Sequence, residues 1–238
     1  MNKQNSPIRD NTPREAITSA AVRLFGAKGY NGTTMRDIAH EVGILAGSLY
    51  AHIDSKESLL ADIVRSGIEP YIEILQGLAG LKQTPSEKLR AYIVNHVRVV
   101  AENPERTFVV FHEWRFLKEP ERMMAVTMRR RYAQGFTQIV RDGIACGEFS
   151  SELVEHVAVF SIIGALNWIP EWYAPDGSSS PEAIGNQLAD TLIGGLKKRP
   201  SRSKASSAAN AHRDAALGNF PGQKQSVQLH VKPARKYP

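Results

Sequence analysis

The chain has 238 residues, 42% hydrophobic and 23% charged, with one cysteine and a formal net charge of +6. This balance is too apolar for wholesale disorder and too charged for a membrane protein, and one thiol excludes an internal disulfide or a multi-thiolate metal site. The longest apolar run, Val157 to Ile169, is far short of the roughly 20 residues a membrane span needs. The polar start, Met1 to Asn11, lacks an apolar signal segment and predicts a cytoplasmic protein with no membrane partner. Cys146 reads as a small buried apolar side chain.

The charge is uneven. From Lys197 onward ten Lys/Arg face one acid, Asp214, so the first 196 residues keep 20 bases and 23 acids of the 30 and 24 in the whole chain. The excess sits in a segment rich in Ser, Ala, Gly, Pro and Gln without periodic apolar positions, which predicts a basic, disordered tail over 200–238 and a solvated appendage rather than a specific reader of sequence. A short flexible arm is expected at 1–11.

In chain order, four helix starts are marked by a capping side chain followed by proline at the first helical position: Thr12-Pro13, Thr84-Pro85, Asn103-Pro104 and Ser180-Pro181. Glu15 and Glu87 complete capping boxes on the first two. Ile17, Ala21, Leu24 and Phe25 line one face of the first helix, and Leu60, Ile63, Val64, Ile68 and Ile72 do so further on, whereas no segment alternates as a strand would. The spacing predicts an all-α fold with helices near 13–28, 34–42, 46–52, 55–80, 85–102, 104–118, 120–146, 151–170 and 181–198. The first three are short, with Gly29, Gly32 and Gly43 in their links, and the later ones are long. A small N-terminal domain over 12–68 followed by a larger helical domain over 69–199 is expected, with Pro70 kinking or breaking the fourth helix at their junction.

Thr34 to His52 has the spacing of a helix-turn-helix. Thr34 caps its first helix with Asp37 reciprocating; Ile38, Ala39 and Val42 face inward, and Gly43 makes the turn. The second helix buries Leu49 and leaves Leu45, Ala46, Gly47, Ser48, Tyr50 and His52 outward. Its exposed start carries no large side chains, which suits close approach of the backbone to a base edge, while Ser48, Tyr50, His52 and Lys56 have donors for phosphates. Asp54 and Glu57 read as a capping pair for the next helix. Residues 1–65 carry only 8 bases against 7 acids, so a three-helix unit that simply packs on the rest of the chain is the competing reading.

Three segments carry a resemblance: Thr33-Thr34-Met35-Arg36-Asp37-Ile38-Ala39, then Gly43-Ile44-Leu45-Ala46-Gly47-Ser48-Leu49-Tyr50-Ala51-His52-Ile53, then Ser55-Lys56-Glu57-Ser58-Leu59-Leu60. Together they resemble the TetR family of transcriptional regulators. The resemblance implies a double-stranded DNA operator as partner, with Thr34, Met35, Arg36 and Leu45 to Ser48 nearest the duplex and Tyr50, His52 and Lys56 on phosphates. Many members have Ser where Leu45 stands and Phe where Ile53 stands; the first change removes a polar contact or cap, and the second keeps the core class. The low local charge predicts modest affinity per protomer, raised by a homodimer engaging two half-sites.

After Pro85 the chain is rich in apolar side chains, including Phe108, Val109, Phe111, Trp114, Phe116, Leu117, Met123, Met124 and Met128. Asn167-Trp168-Ile169-Pro170-Glu171-Trp172-Tyr173-Ala174, together with the Gly43 to Tyr50 segment, looks like a branch of the family that senses CoA thioesters of fatty acids or steroid breakdown products. That resemblance implies a repressor of lipid or sterol catabolism genes released by a small-molecule, acyl-CoA-type effector, with Phe111, Trp114, Met128, Arg131, Asn167, Trp168 and Trp172 in the pocket. Related sequences often carry Arg where this chain has Glu171 and Ala174, so those positions do not supply phosphate recognition; Arg129, Arg130, Arg131 or Arg141 are the available substitutes. The helices near 151–170 and 181–198 resemble a four-helix dimer seam, with Val157, Phe160, Ile163 and Ala165 on one and Ile184, Leu188, Leu192 and Ile193 on the other.

No phosphate-binding glycine loop, nucleophile elbow or zinc signature occurs. His112-Glu113 lacks the second histidine of the metalloprotease spacing, and the histidines at 40, 52, 96, 112 and 156 are scattered. Neither catalysis, nor a cofactor, nor a metal is expected. The rival to a regulator is a helical adaptor that binds protein through its C-terminal groove.

Overall fold

Each expected capping residue holds the start of its helix. The Thr12 hydroxyl accepts from the Glu15 N–H and the Glu15 carboxylate accepts in return from the Thr12 N–H; Thr84 with Glu87 repeats this exchange, and Asn103 and Ser180 accept from Arg106 and Ala183. In the computed structural model, which describes residues 12–198, these starts open α1 (Pro13–Lys28), α5 (Pro85–Glu102), α6 (Pro104–His112) and α10 (Pro181–Leu196). Between them lie α2 (Met35–Val42), α3 (Ala46–Leu49), α4 (Lys56–Ala79), α7 (Glu121–Ala145), α8 (Glu155–Asn167) and α9 (Ile169–Trp172), with a 3-10 turn over Glu113–Phe116. The described residues contain no strand.

Four expectations need correction. Helix α4 runs through Pro70 instead of ending there, since the ring removes one backbone hydrogen bond while packed apolar residues anchor the helix on both sides of it. Its cap is Ser55 with Ser58 in reciprocal bonds, not Asp54 with Glu57. The helix expected over 151–170 is two pieces, α8 and α9, because Pro170 lies in the first turn of a new helix; likewise 104–118 divides into α6 and the 3-10 turn. Cys146, just past α7, is exposed rather than buried. The basic tail and the N-terminal arm lie outside the described residues.

Two hydrophobic cores organise the described residues, and α4, α6 and α7 belong to both. The head core joins Ile17, Phe25, Ile38, Leu49 and Leu59 to Val64, and it also takes Phe108 and Val109 from α6, Leu117 from the loop after the 3-10 turn and Ala125 from α7. The body core begins with Ile68 and Tyr71 on α4, takes Val110 and Phe111 from α6, and extends through Tyr92, Tyr132 and Phe136 to Leu166 and Ile193. Helix α10 lies so close along α5 that a Cβ at Gly185 would stand 2.9 Å from the Val94 Cα. Of the residues expected at a dimer seam, Val157 and Phe160 are outward, 53% and 64% exposed, whereas Ile163 and Ile193 turn into the body core. Phe160 and Ile163, three residues apart, are neighbours on α8 and border the same cleft, Ile163 on its buried side and Phe160 on its exposed side.

Candidate nucleic-acid interface and effector pocket

Helix α2 is pinned at both ends. The Thr34 hydroxyl accepts from the Asp37 N–H at 3.1 Å and donates to the Asp37 carboxylate at 2.8 Å, and the Thr34 N–H donates to the same carboxylate, so hydrogen bonds from Thr34 hold the Asp37 carboxyl below its ordinary pKa. At the other end Gly43 adopts φ 78°, ψ 29°, the left-handed conformation that glycine takes without strain, and turns the chain into α3. Leu49 is the fully buried anchor of α3, while Leu45 is 80% and Tyr50 56% exposed. Gly47, Ser48 and His52 are exposed too, Ala46 is half-buried, and nothing lies within 4 Å of a Cβ built on Gly47. Arg36 is exposed and Met35 half-buried on α2. The expected contact residues on α2 and α3 are thus exposed or half-buried, with Thr34 committed largely to its cap.

Lys56 is placed differently from its expected phosphate role. Its ammonium donates to the carbonyls of Thr33 at 2.8 Å and Tyr30 at 3.0 Å and sits 4.3 Å from the centre of the Tyr30 ring, with burial lowering its pKa. Two of its three N–H donors therefore tie α4 to the loop entering α2. The same loop is held from the body: the buried Glu113 carboxylate accepts from the Tyr30 N–H at 2.7 Å. A second tie joins Glu57 of α4, which accepts from the Lys118 N–H at 2.6 Å.

Within the body, an aromatic cluster of Tyr71, Tyr92, His96, Phe111, Tyr132 and Phe136 fills the space between α4, α5, α6 and α7. His96 is wholly buried. Its Nε2 faces the Leu166 carbonyl at 3.2 Å, which can only accept, so Nε2 carries the proton and Nδ1 accepts from the Tyr92 hydroxyl at 3.3 Å. Burial pushes its pKa down to about 3 and raises those of Tyr71 and Tyr132. Asn167 links two sides of the pocket, its side-chain oxygen accepting from the Tyr132 hydroxyl and its backbone oxygen from His112 Nε2.

Beside this cluster a cleft of about 240 Å³ opens between α7 and α8, lined by Trp114, Arg129, Tyr132, Ala133, Phe160 and Ile163 among others. Arg129 lies 4.6 Å from the Trp114 ring centre and 6.0 Å from that of Phe111. Of the expected pocket residues, Trp114 lines this cleft, Phe111 and Met128 are buried in or beside the aromatic cluster, and Asn167 bridges it. Trp168 and Trp172 are largely exposed, although Trp168 meets the His112 ring edge-on at 6.1 Å. Arg131 corrects an expectation: it points to solvent, and Arg129, two positions earlier, occupies the cleft.

The family profile described as "Bacterial regulatory proteins, tetR family" matches residues 17–63, and "Tetracyclin repressor-like, C-terminal domain" matches residues 82–196, so the two together cover more than half of the chain. This protein belongs to the TetR family. Members are DNA-binding transcriptional regulators, and the head built on α1 to α3 is its helix-turn-helix domain. Among curated relatives, the HTH-type transcriptional repressor KstR2 of Mycolicibacterium smegmatis is 26% identical over 194 residues, covering 81% of this chain and 94% of its own. The fatty acid metabolism regulator protein of Bacillus subtilis is 24% identical, covering 77% and 95%. Among solved structures, AibR in complex with isovaleryl coenzyme A and operator DNA superposes with a TM-score of 0.67 at 28% identity, covering 77% of this chain and 97% of its own.

In this TetR-family regulator two features of the candidate sites were legible in sequence to different degrees. Arg129 was one of four arginines that the sequence offers, and helical spacing separates it from Arg131: Ala125, Arg129, Tyr132 and Phe136 follow one helical face, and Arg131 does not. Glu113 was not, because its partner Tyr30 is 83 positions away and nothing in either neighbourhood marks the pairing. No helix among the described residues is long and apolar enough to cross a membrane, and no group of metal-ligating side chains converges among them.

Proposed function

We propose that this protein is a homodimeric repressor that binds a palindromic operator and is released by an acyl-CoA-type effector, in control of lipid or sterol catabolism genes in the cytoplasm. The observation that carries the reading is a head whose open recognition surface is tied, through Tyr30 and Glu113, to the helix α6 that also walls the aromatic cluster of the body. Its likeness to KstR2 and to the fatty acid regulator supports the gene class, and its likeness to AibR, a protein solved with both isovaleryl coenzyme A and operator DNA, supports the coupling of effector to operator. In the operator-binding state, Tyr50, Ser48 and His52 reach phosphates while Leu45 to Gly47 let the backbone approach base edges. Effector binding beside α6 displaces Phe111 and draws Glu113 off the Tyr30 N–H, which frees the loop before α2 so that two paired heads no longer match half-sites one turn apart.

The test is fluorescence anisotropy with the promoter duplex flanking the gene, over a salt series and against a scrambled duplex, followed by titration of isovaleryl-CoA and palmitoyl-CoA. Specific binding with a dimer stoichiometry that an acyl-CoA reverses is the expected result. Specific binding that no acyl-CoA or free acid weakens overturns the effector assignment, and equal affinity for both duplexes at every salt overturns the operator assignment.

A further inference from the structure

The effector reading leaves open what in this chain receives the charged part of a ligand, because the positions at which related sequences carry arginines hold Glu171 and Ala174. Two polar atoms near the pocket are buried without a hydrogen-bond partner, and they have opposite charge: Nη1 of Arg129 and Oε1 of Glu171. Buried polar groups are normally paired, so an unpaired charged donor beside a cleft marks a place where a ligand atom would be stabilising.

The surroundings of Arg129 fit an anion receptor on an apolar body. None of the described acids forms an ion pair with it; instead its guanidinium is held against the Trp114 and Phe111 rings, which fix its plane while leaving donors free. Burial lowers its pKa, yet an arginine stays charged at neutral pH. The cleft it lines continues along Tyr132, Ala133, Phe160 and Ile163, which offer apolar wall to an aliphatic or polycyclic ligand, and Arg130 stands at the same cleft. Glu171 acts in the opposite sense. Its carboxylate lies near enough to His112 to influence it electrostatically, across Asn167 from Tyr132, so an anionic group is repelled from that end of the pocket.

We propose that Arg129 is the anion-binding residue of the effector pocket, that it receives a phosphate or carboxylate oxygen of an otherwise apolar ligand in the cleft between α7 and α8, and that Glu171 fixes the ligand's direction by excluding that group from the α9 end. The inference rests on the effector reading above, and it adds the binding residue and the ligand's polarity. A planar guanidinium gives two parallel hydrogen bonds to such a group, a geometry that an ammonium does not reproduce.

The experiment measures binding by quenching of tryptophan fluorescence, which Trp114 reports directly, with palmitoyl-CoA, isovaleryl-CoA, free palmitate and coenzyme A as probes on the full chain. Arg129→Met keeps an unbranched stem on the Trp114 ring, and Arg129→Lys keeps the charge without the fork. The expected result is that palmitoyl-CoA binds wild type, that Arg129→Met weakens it by about tenfold or more, and that Arg129→Lys falls between. A loss confined to the CoA ester identifies a phosphate as the anion; an equal loss for palmitate identifies a carboxylate-sized group. Glu171→Gln then strengthens binding of the same probe. Wild-type affinity in Arg129→Met overturns this inference while leaving the effector reading intact, whereas wild type that binds none of the four probes overturns the effector reading and the inference with it.

Discussion

Replacing Lys56 with Met separates two roles for this residue that give opposite experimental signatures. Its ammonium makes two charge-assisted bonds, to the Thr33 and Tyr30 carbonyls, each worth roughly 1.5–3 kcal/mol when well buried. The Tyr30 carbonyl retains a second donor, the Thr33 N–H at 3.3 Å, and the ammonium is only half-buried, so the pair together is worth about 2 kcal/mol. For a chain of this size that predicts a melting temperature lower by about 4–8 °C. Because the lost bonds are internal, the slope of log affinity against log salt for operator DNA stays as in wild type. A true phosphate contact behaves otherwise: its removal flattens the slope by about 0.9 per protomer and leaves melting unchanged. Differential scanning fluorimetry and anisotropy from low to moderate salt measure both quantities on the same samples. A flattened slope with unaltered melting would refute the internal role derived from these distances.

Gly43→Ala forces a Cβ into the left-handed conformation at φ 78°, and since no atom crowds the site the cost is backbone strain alone, about 1–2 kcal/mol; urea unfolding should show that loss together with weaker operator binding. Phe160→Asp places a charge on the outward apolar face of α8 beside Val157, and sedimentation at micromolar concentration should turn from dimer to monomer. His96 makes the body sensitive to acid. Its pKa is about 3 in the fold against 6.5 for the free side chain, so below pH 6.5 the unfolded chain takes up a proton that the folded one refuses. Stability is full above that pH and falls as pH drops toward 3, by about 2 kcal/mol between pH 7 and 5. His112, also lowered by burial, adds in the same direction. His96→Gln, which keeps a donor for the Leu166 carbonyl, should flatten most of this dependence in urea titrations at the two pH values.

Local chemistry made most of the fold legible. A threonine or asparagine before proline determines a helix start within one turn, and the four marked starts lie where their caps put them. The helix-turn-helix was legible for the same reason, since Thr34, Gly43 and Leu49 each satisfy a requirement set by immediate neighbours, although its second helix, expected over 46–52, ends at Leu49. What failed depended on distant partners. Pro70 looked like a kink or a break because its ring opposes helix locally, but Ile68 before it and Tyr71, Ile72 and Leu75 after it are all buried in the body core and carry the helix through. Lys56 looked like a phosphate ligand because its position at a helix start suits one, and only the fold brings two carbonyls to it. Phe160 and Ile163 are neighbours on α8 and looked equivalent, and only the packing of that helix on the body leaves one exposed and the other buried.

The shared helix α6 sets what an effector can achieve. Phe108 and Val109 belong to the head core, Val110 and Phe111 to the body core, and Glu113 immediately after them holds Tyr30, so displacing Phe111 cannot leave the loop before α2 untouched. A hundredfold loss of operator affinity requires the ligand to favour the released state by about 2.7 kcal/mol. Breaking the bond from Tyr30 to the buried carboxylate costs roughly 1.5–3 kcal/mol by itself. The ligand's preference must therefore cover that loss as well, and the bond serves as a latch opposing release. Glu113→Gln keeps an acceptor of similar shape and removes the charge, which lowers the latch without emptying the space. The expected outcome is a lower effector concentration for half-release of the operator, by several-fold, with ligand-free operator affinity little changed. Anisotropy titrations of the operator complex with palmitoyl-CoA measure the shift; a half-release concentration that rises in Glu113→Gln would show that the carboxylate transmits the signal rather than resisting it.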